Sequence, residues 1–249
     1  MLRKVLKLIG FIVLVAFLVV TLAFSAKESR NVPCRSIEIE FSKNELIKIS
    51  KEEITRLVHL ADEHLIGESL EQINTDFIEK EVEKHKAIFN AEVYKVIVKD
   101  TINYRGILGV RIKHREPAVR IMSDEGRYYL DKNGEKIPVS ANYTANVLVA
   151  TGYFSEKFAK EKLLPFVLFL ENNPFWEAQI EQVHVEQDGD IMLTPLIGDH
   201  LIELGTLEEY PSKLRNMKAF YQQVMAHNKW NEYKMVSLKY DNQVIAKKR

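Results

Sequence analysis

From Leu8 to Ala26 the chain carries no charge for 19 residues, a run of Leu, Ile, Val, Phe and Ala broken only by Gly10, Thr21 and Ser25. At about 1.5 Å per helical residue such a run reaches about 28 Å, close to the hydrocarbon thickness of a bilayer. Arg3, Lys4 and Lys7 precede it without an acid, whereas Lys27, Glu28 and Arg30 follow it with mixed charge. The positive-inside rule then predicts a cytoplasmic N-terminus, with everything after Lys27 outside. A cleaved signal peptide competes with this reading, because Ala23-Phe24-Ser25 offers small residues to a peptidase. The run is, however, longer than the usual apolar region of about 7–15 residues. On either reading the bulk of the protein is exported.

That bulk must be read apart from the apolar run. The whole chain balances 35 Lys and Arg against 35 Asp and Glu, but Met1–Ala26 holds three of the bases and none of the acids. The remainder is therefore mildly acidic, which argues against a nucleic-acid partner. With 46% hydrophobic residues over its whole length, the chain is not a disordered one. Cys34 stands alone, so no internal disulfide forms, and Asn31-Val32-Pro33 before it is no lipidation signal.

Beyond a short polar linker with Pro33, Ile37, Ile39 and Phe41 alternate with Ser36, Glu38 and Glu40, the period-2 pattern of a half-buried strand. Ser50 followed by Glu53 predicts a capped helix carrying Ile54, Leu57, Val58 and Ala61. After a loop over 65–73, Asn74 starts a second helix whose apolar side is Phe77, Ile78 and Val82. Val93–Val98 and Ile107–Arg115 read as strands joined by a turn at Asn103–Gly106. Strand, helix, helix, strand, strand makes a small α+β unit with helices on one face of a three-stranded sheet.

After Pro117 the pattern changes to short strands. Ala118–Ile121, Arg127–Asp131, Val147–Thr151, Gln179–Gln187, Ile191–Leu196 and Leu201–Leu204 qualify, with hairpin signals at Lys132-Asn133-Gly134 and Asp188-Gly189-Asp190. Ser155–Glu171 is helical, with Pro165 expected to kink or delay it, and Pro211–His227 is an amphipathic helix. Lys234–Tyr240 and Gln243–Lys247 close the chain as strands around Asp241-Asn242. A terminal strand can occupy a sheet edge, where unpaired backbone groups invite another strand.

A search for chemistry finds none. His59 and His64 point about 140° apart on a helix, and the other five histidines stand singly, so no metal site is expected. Gly67-Glu68-Ser69-Leu70 lacks the second glycine of a nucleophile elbow, and the scattered glycines build no phosphate loop. Adjacent carboxylates such as Glu52-Glu53, Asp62-Glu63 and Glu208-Glu209 diverge by about 100° around a helix and form no dyad. No enzyme and no cofactor is expected.

In order along the chain, these pieces resemble the cell-division family FtsQ (DivIB in some bacteria), most of all its Bacteroidetes branch. The segments carrying the resemblance are Val110–Ala118 followed by Tyr128–Gly134, then Leu201-Ile202-Glu203-Leu204-Gly205, Pro211–His227 and Val236–Asn242. The resemblance implies residues 1–7 as a cytoplasmic N-terminus, 8–26 as a transmembrane helix and 27–35 as a linker. It implies a POTRA domain over 36–116 and an FtsQ-type mixed β domain with two helices over 117–249. It further implies a non-catalytic divisome scaffold in the cell inner membrane at the septum, its C-terminal domain periplasmic. The implied partners are the single-pass coiled-coil proteins FtsB and FtsL, taken by strand addition. Carried over, the docking edge is Leu238, Lys239, Tyr240, Asp241, Asn242, Gln243 and Val244. Two positions depart from the family pattern: Gln243 stands where a glycine is common, and Thr206 stands where a basic residue often follows the Leu-Gly pair. The alternative is a POTRA-containing factor for secretion or outer-membrane assembly, which usually continues into a barrel of strands for which nothing after Ala118 reads as a membrane strand.

Overall fold

A computed structural model describes residues 9–22, 32–43, 46–47, 49–99, 104–140, 143–225, 230–240 and 242–249. The expected cytoplasmic segment, most of the linker, and Asp241 of the expected docking edge lie outside the described residues. Within the charge-free run, residues 9–22 form helix α1, with exposed side chains throughout. Thr21 turns its hydroxyl back on its own helix, donating to the carbonyls of Phe17 and Leu18, both at 2.9 Å. Among the described residues no helix is long and apolar enough to cross a membrane.

The chain divides into two units, Met1–Lys43 with Ile49–His114, and Asn44–Lys48 with Arg115–Arg249. In the first, β1 (Cys34–Phe41), α2 (Lys51–Ala61), α3 (Thr75–Glu83), β2 (Ile88–Lys99) and β3 (Tyr104–His114) follow one another. The sheet order is β1-β3-β2, with β1 parallel and β2 antiparallel to the central β3. Ser50 caps α2 by accepting from the Glu53 amide at 3.2 Å. Only half of the capping box forms, because the Glu53 carboxylate turns to Arg56 at 2.8 Å. Asn74 caps α3 through the Phe77 amide at 3.1 Å.

Ile54, Val58, Ile78 and Val82 from the helices are buried with Ile39, Leu108, Val110 and Ile112 of the strands. Phe77 differs from expectation: it is 48% exposed. One residue before Ile78, it is turned about 100° off the buried face. The expected turn residues Tyr104–Gly106 already belong to β3, and β2 starts at Ile88, five residues before the predicted strand. His114 is a core histidine whose Nε2 accepts from the Ile49 amide at 3.1 Å.

β2 is an edge strand, and side chains of α3 close part of that edge. Glu83 Oε1 accepts from the Ala91 amide at 3.0 Å, and Glu79 Oε1 from the Val93 amide at 2.7 Å.

The second unit contains β4 (Pro117–Ser123), β5 (Gly126–Asp131), β6 (Lys136–Pro138), β7 (Leu148–Gly152), α4 (Glu156–Phe158), α5 (Leu164–Glu171), α6 (Pro174–Glu177), β8 (Ile180–Val185), β9 (Ile191–Pro195), β10 (Leu201–Gly205), α7 (Tyr210–Phe220), β11 (Tyr233–Ser237) and β12 (Ile245–Lys248). All nine strands form one sheet in the order β12-β11-β10-β9-β8-β7-β4-β5-β6. β7 runs parallel to β4 and β8, and β10 parallel to β11; the other pairs are antiparallel. The helices therefore lie in the two crossovers, α4 to α6 between β7 and β8, and α7 between β10 and β11. α5 and α7 meet where the Tyr210 ring packs edge-on against Phe166 and Phe169, both at 5.1 Å. Their apolar sides join Val119, Ile121, Val183, Leu193, Ile202 and Val236 in one core.

Pro165 is absorbed without breaking its helix. A π-turn over Ala159–Leu163 precedes α5, and the Leu164 amide reaches back five residues to the Ala159 carbonyl. The extra residue in that turn makes room where the proline ring and its missing N–H would disturb an α-helical ladder. At the end of β7, Gly152 has φ 113°, and a Cβ there would lie 2.0 Å from the Val185 carbonyl oxygen, so no other residue fits. The Lys132-Asn133-Gly134 signal does make a tight turn, with Asp131 Oδ1 accepting from the amides of Asn133 (2.9 Å) and Glu135 (2.8 Å). Beneath α7, buried His200 shares a hydrogen bond with Tyr221 Oη at 2.8 Å through Nε2. Burial holds the His200 pKa below its ordinary value despite nearby Asp199, and burial pushes the Tyr221 phenol well above its own.

Candidate partner-binding edge

β12 is one end of the nine-stranded sheet, so among the described residues no strand lies beside Ile245–Lys248 on the side away from β11. Ile245, Lys247 and Lys248 are exposed and Ala246 is half-buried. The two closing strands are shorter than expected, and residues 238–244 are their connection rather than an edge strand themselves. Leu238 is buried in the core, and its amide donates to Glu203 O at 2.8 Å, which extends the β10–β11 ladder by one bond beyond Ser237.

The connection is well tied. Lys239 forms an ion pair with Asp190, whose hydrogen bond and charge raise the lysine pKa. The aliphatic part of Lys239 lies over Gly205, where an added Cβ would come within 3.1 Å of Cγ and where φ is +73°. Both facts explain the glycine of the Leu204-Gly205 pair. Asn242 has φ 56°, the left-handed region that asparagine tolerates better than most residues. The left-handed position of this connection therefore falls at Asn242 and not at Gln243. The Gln243 amide donates to Tyr240 O at 3.3 Å, and Val244 is partly buried against the core. Tyr240 is 58% exposed.

Leu238, Tyr240, Asn242 and Gln243 line one side of a pocket of about 270 Å³, and Glu209, Ser212, Lys213 and Asn216 at the start of α7 line the other. Sequence reasoning missed that second wall. Glu209, the residue before α7, also has positive φ (51°), so the two non-glycine residues of this kind among the described residues both border this pocket. Strained backbone of this sort concentrates at functional sites. Lys213 also fills the place left by Thr206: its Nζ donates to the Thr206 carbonyl at 2.9 Å, so a cation reaches this position from the helix. An amphipathic helix starting near Pro211 would have pointed to these residues had its first polar turn been paired with the connection. Among the described residues no group of His, Cys, Asp and Glu is arranged to hold a metal ion.

A POTRA-like βααββ unit together with a large mixed sheet defines an α+β protein of a two-module kind. The POTRA-like domain family matches residues 32–100. The family described as FtsQ/DivIB, C-terminal related, matches residues 116–247, more than half of the chain. The chain therefore belongs to that family, and it is a cell-division protein of the FtsQ/DivIB type. No curated protein matches the chain.

Proposed function

We propose that this protein is a single-pass, non-catalytic scaffold of the divisome that takes a partner strand at β12, with the 238–244 connection as the specificity element. In this reading residues 1–7 are cytoplasmic, 8–26 span the inner membrane and 27–35 form a linker. Residues 36–116 and 117–249 then stand outside as the POTRA-type and β domains. Two features support the anchor: the basic residues collect on one side of the run, and α1 exposes only apolar or internally satisfied side chains. FtsB-like and FtsL-like coiled-coil proteins are the proposed partners.

The observation that carries the proposal is an open strand edge flanked by a pocket with an exposed tyrosine on its rim. A four-residue strand offers only a few backbone hydrogen bonds, worth about 0.5–1.5 kcal/mol net each. Side-chain anchors must supply the rest, and tyrosine is among the commonest hot-spot residues. Lys247 and Lys248 on the edge favour a partner strand with acidic residues. The test is recovery of tagged full-length protein from its own membranes, with co-purifying proteins identified by mass spectrometry. Two small single-pass coiled-coil proteins should accompany it and be lost in Tyr240→Glu, which removes no core contact. Recovery of outer-membrane barrel components instead, or undiminished binding by the variant, overturns the reading.

A further inference from the structure

A second groove lies on the larger unit, away from the 238–244 connection. It has a volume of about 490 Å³ and sits where the parallel strands β4, β7 and β8 begin, beside the last turn of α5 and the short α6. Its floor is apolar, formed in part by the buried side chains of Leu170, Trp176 and Ile180. Leu196, just past β9, stands on its rim and is 62% exposed. Leu196 therefore presents exposed apolar surface at the mouth of a groove whose lining is partly apolar and partly acidic.

Among the described residues the charged side chains lining this groove are all acidic. They are Glu171, Glu177 and Glu181. Glu171 is the last residue of α5, where the helix dipole disfavours a carboxylate, and no basic residue in the last turn offsets it. Its Oε1 accepts from Lys132 Nζ at 2.8 Å. Its Oε2 is buried and has no hydrogen-bond partner among the described residues. A cationic ligand would supply the donor that this oxygen lacks.

We infer that this groove docks a cationic, apolar segment of a partner polypeptide, one with an arginine or lysine flanked by aliphatic side chains. The aliphatic residues cover Leu170, Trp176 and Leu196, and the cation reaches Glu171 Oε2 with Glu177 and Glu181 around it. This surface is separate in residues from the proposed β12 edge, so the two are tested independently.

The test is binding of a labelled peptide of alternating leucine and arginine to the full chain in detergent, measured by fluorescence anisotropy. A peptide with glutamine in place of arginine should bind at least tenfold more weakly. The double variant Glu171→Gln, Glu181→Gln should weaken the arginine peptide at least tenfold, and Leu196→Asp should do the same, whereas Tyr240→Glu should leave it unchanged. Equal binding of the two peptides, or unchanged binding by the groove variants, overturns the inference. So does sedimentation showing a dimer that Leu196→Asp dissociates, because the groove would then be covered by a second copy of this chain.

Discussion

The two sheets end in very different edges. β2 of the smaller unit is a 12-residue strand, and the amides of Ala91 and Val93 on its open side are taken by Glu83 and Glu79 of the adjacent helix. β12 of the larger unit is four residues long, and its outer side is met by no strand of its own sheet. An edge capped from within is protected against casual pairing. A short edge bearing lysines resists association with like edges yet stays available to a complementary strand. Where the fold provides a cap and where it does not thus separates structural edge from candidate docking edge.

The strongest way to break this comparison is to remove the caps. Glu79→Ala with Glu83→Ala leaves two amides in a largely buried stretch without acceptors, and each hydrogen bond to a charged acceptor contributes about 1.5–3 kcal/mol. Urea unfolding should show a loss of about 3–6 kcal/mol in the smaller unit, and sedimentation should show new self-association. A monomeric variant of unchanged stability would mean that these carboxylates protect nothing. A smaller effect is expected at the connection. Asn242→Val places a branched side chain at φ 56° and should cost about 1–2 kcal/mol, with partner binding lost because the rim of the pocket shifts. Asn242→Gly should retain both stability and binding. If Val is tolerated as well as Gly, the left-handed turn is not what positions Tyr240.

The smallest effect is a pH dependence confined to the larger unit's interior. His200 is held neutral by burial, so its folded pKa lies below the unfolded value of about 6.5. The unfolded chain then binds more protons below that pH, and the contribution is complete above about 6.5 and lost as pH falls toward the folded pKa. The unfolding free energy should decline as pH falls through this window, with a slope from this residue no steeper than about 1.4 kcal/mol per pH unit. His200→Asn should flatten that slope without affecting the β12 edge. A slope unchanged in the variant would assign the effect to other groups.

Local patterning was a good guide wherever one residue's environment is set by its near neighbours. Ser50 and Asn74 as helix caps, the Asp131–Gly134 turn and the alternation in β1 are all decided within a few positions. Phe77 was misplaced because an apolar residue next to the true face of a short helix cannot be told from one on it. The closing strands are shorter than expected, and nothing local to Leu238 announces that its amide pairs with Glu203, 35 positions earlier.

The sequence by itself determined the two-part α+β organisation and the family to which the chain belongs. Hydrophobic periodicity and turn chemistry are local properties of the chain, and a family is read from their order. Only the tertiary structure decided that β12, not the 238–244 segment, is the open strand, and that Glu209, Ser212, Lys213 and Asn216 complete the pocket beside Tyr240. It alone placed Glu171, Glu177 and Glu181 around one apolar groove. Sites of this kind are made by strand order and by helix crossovers, which bring together residues that share no pattern along the chain.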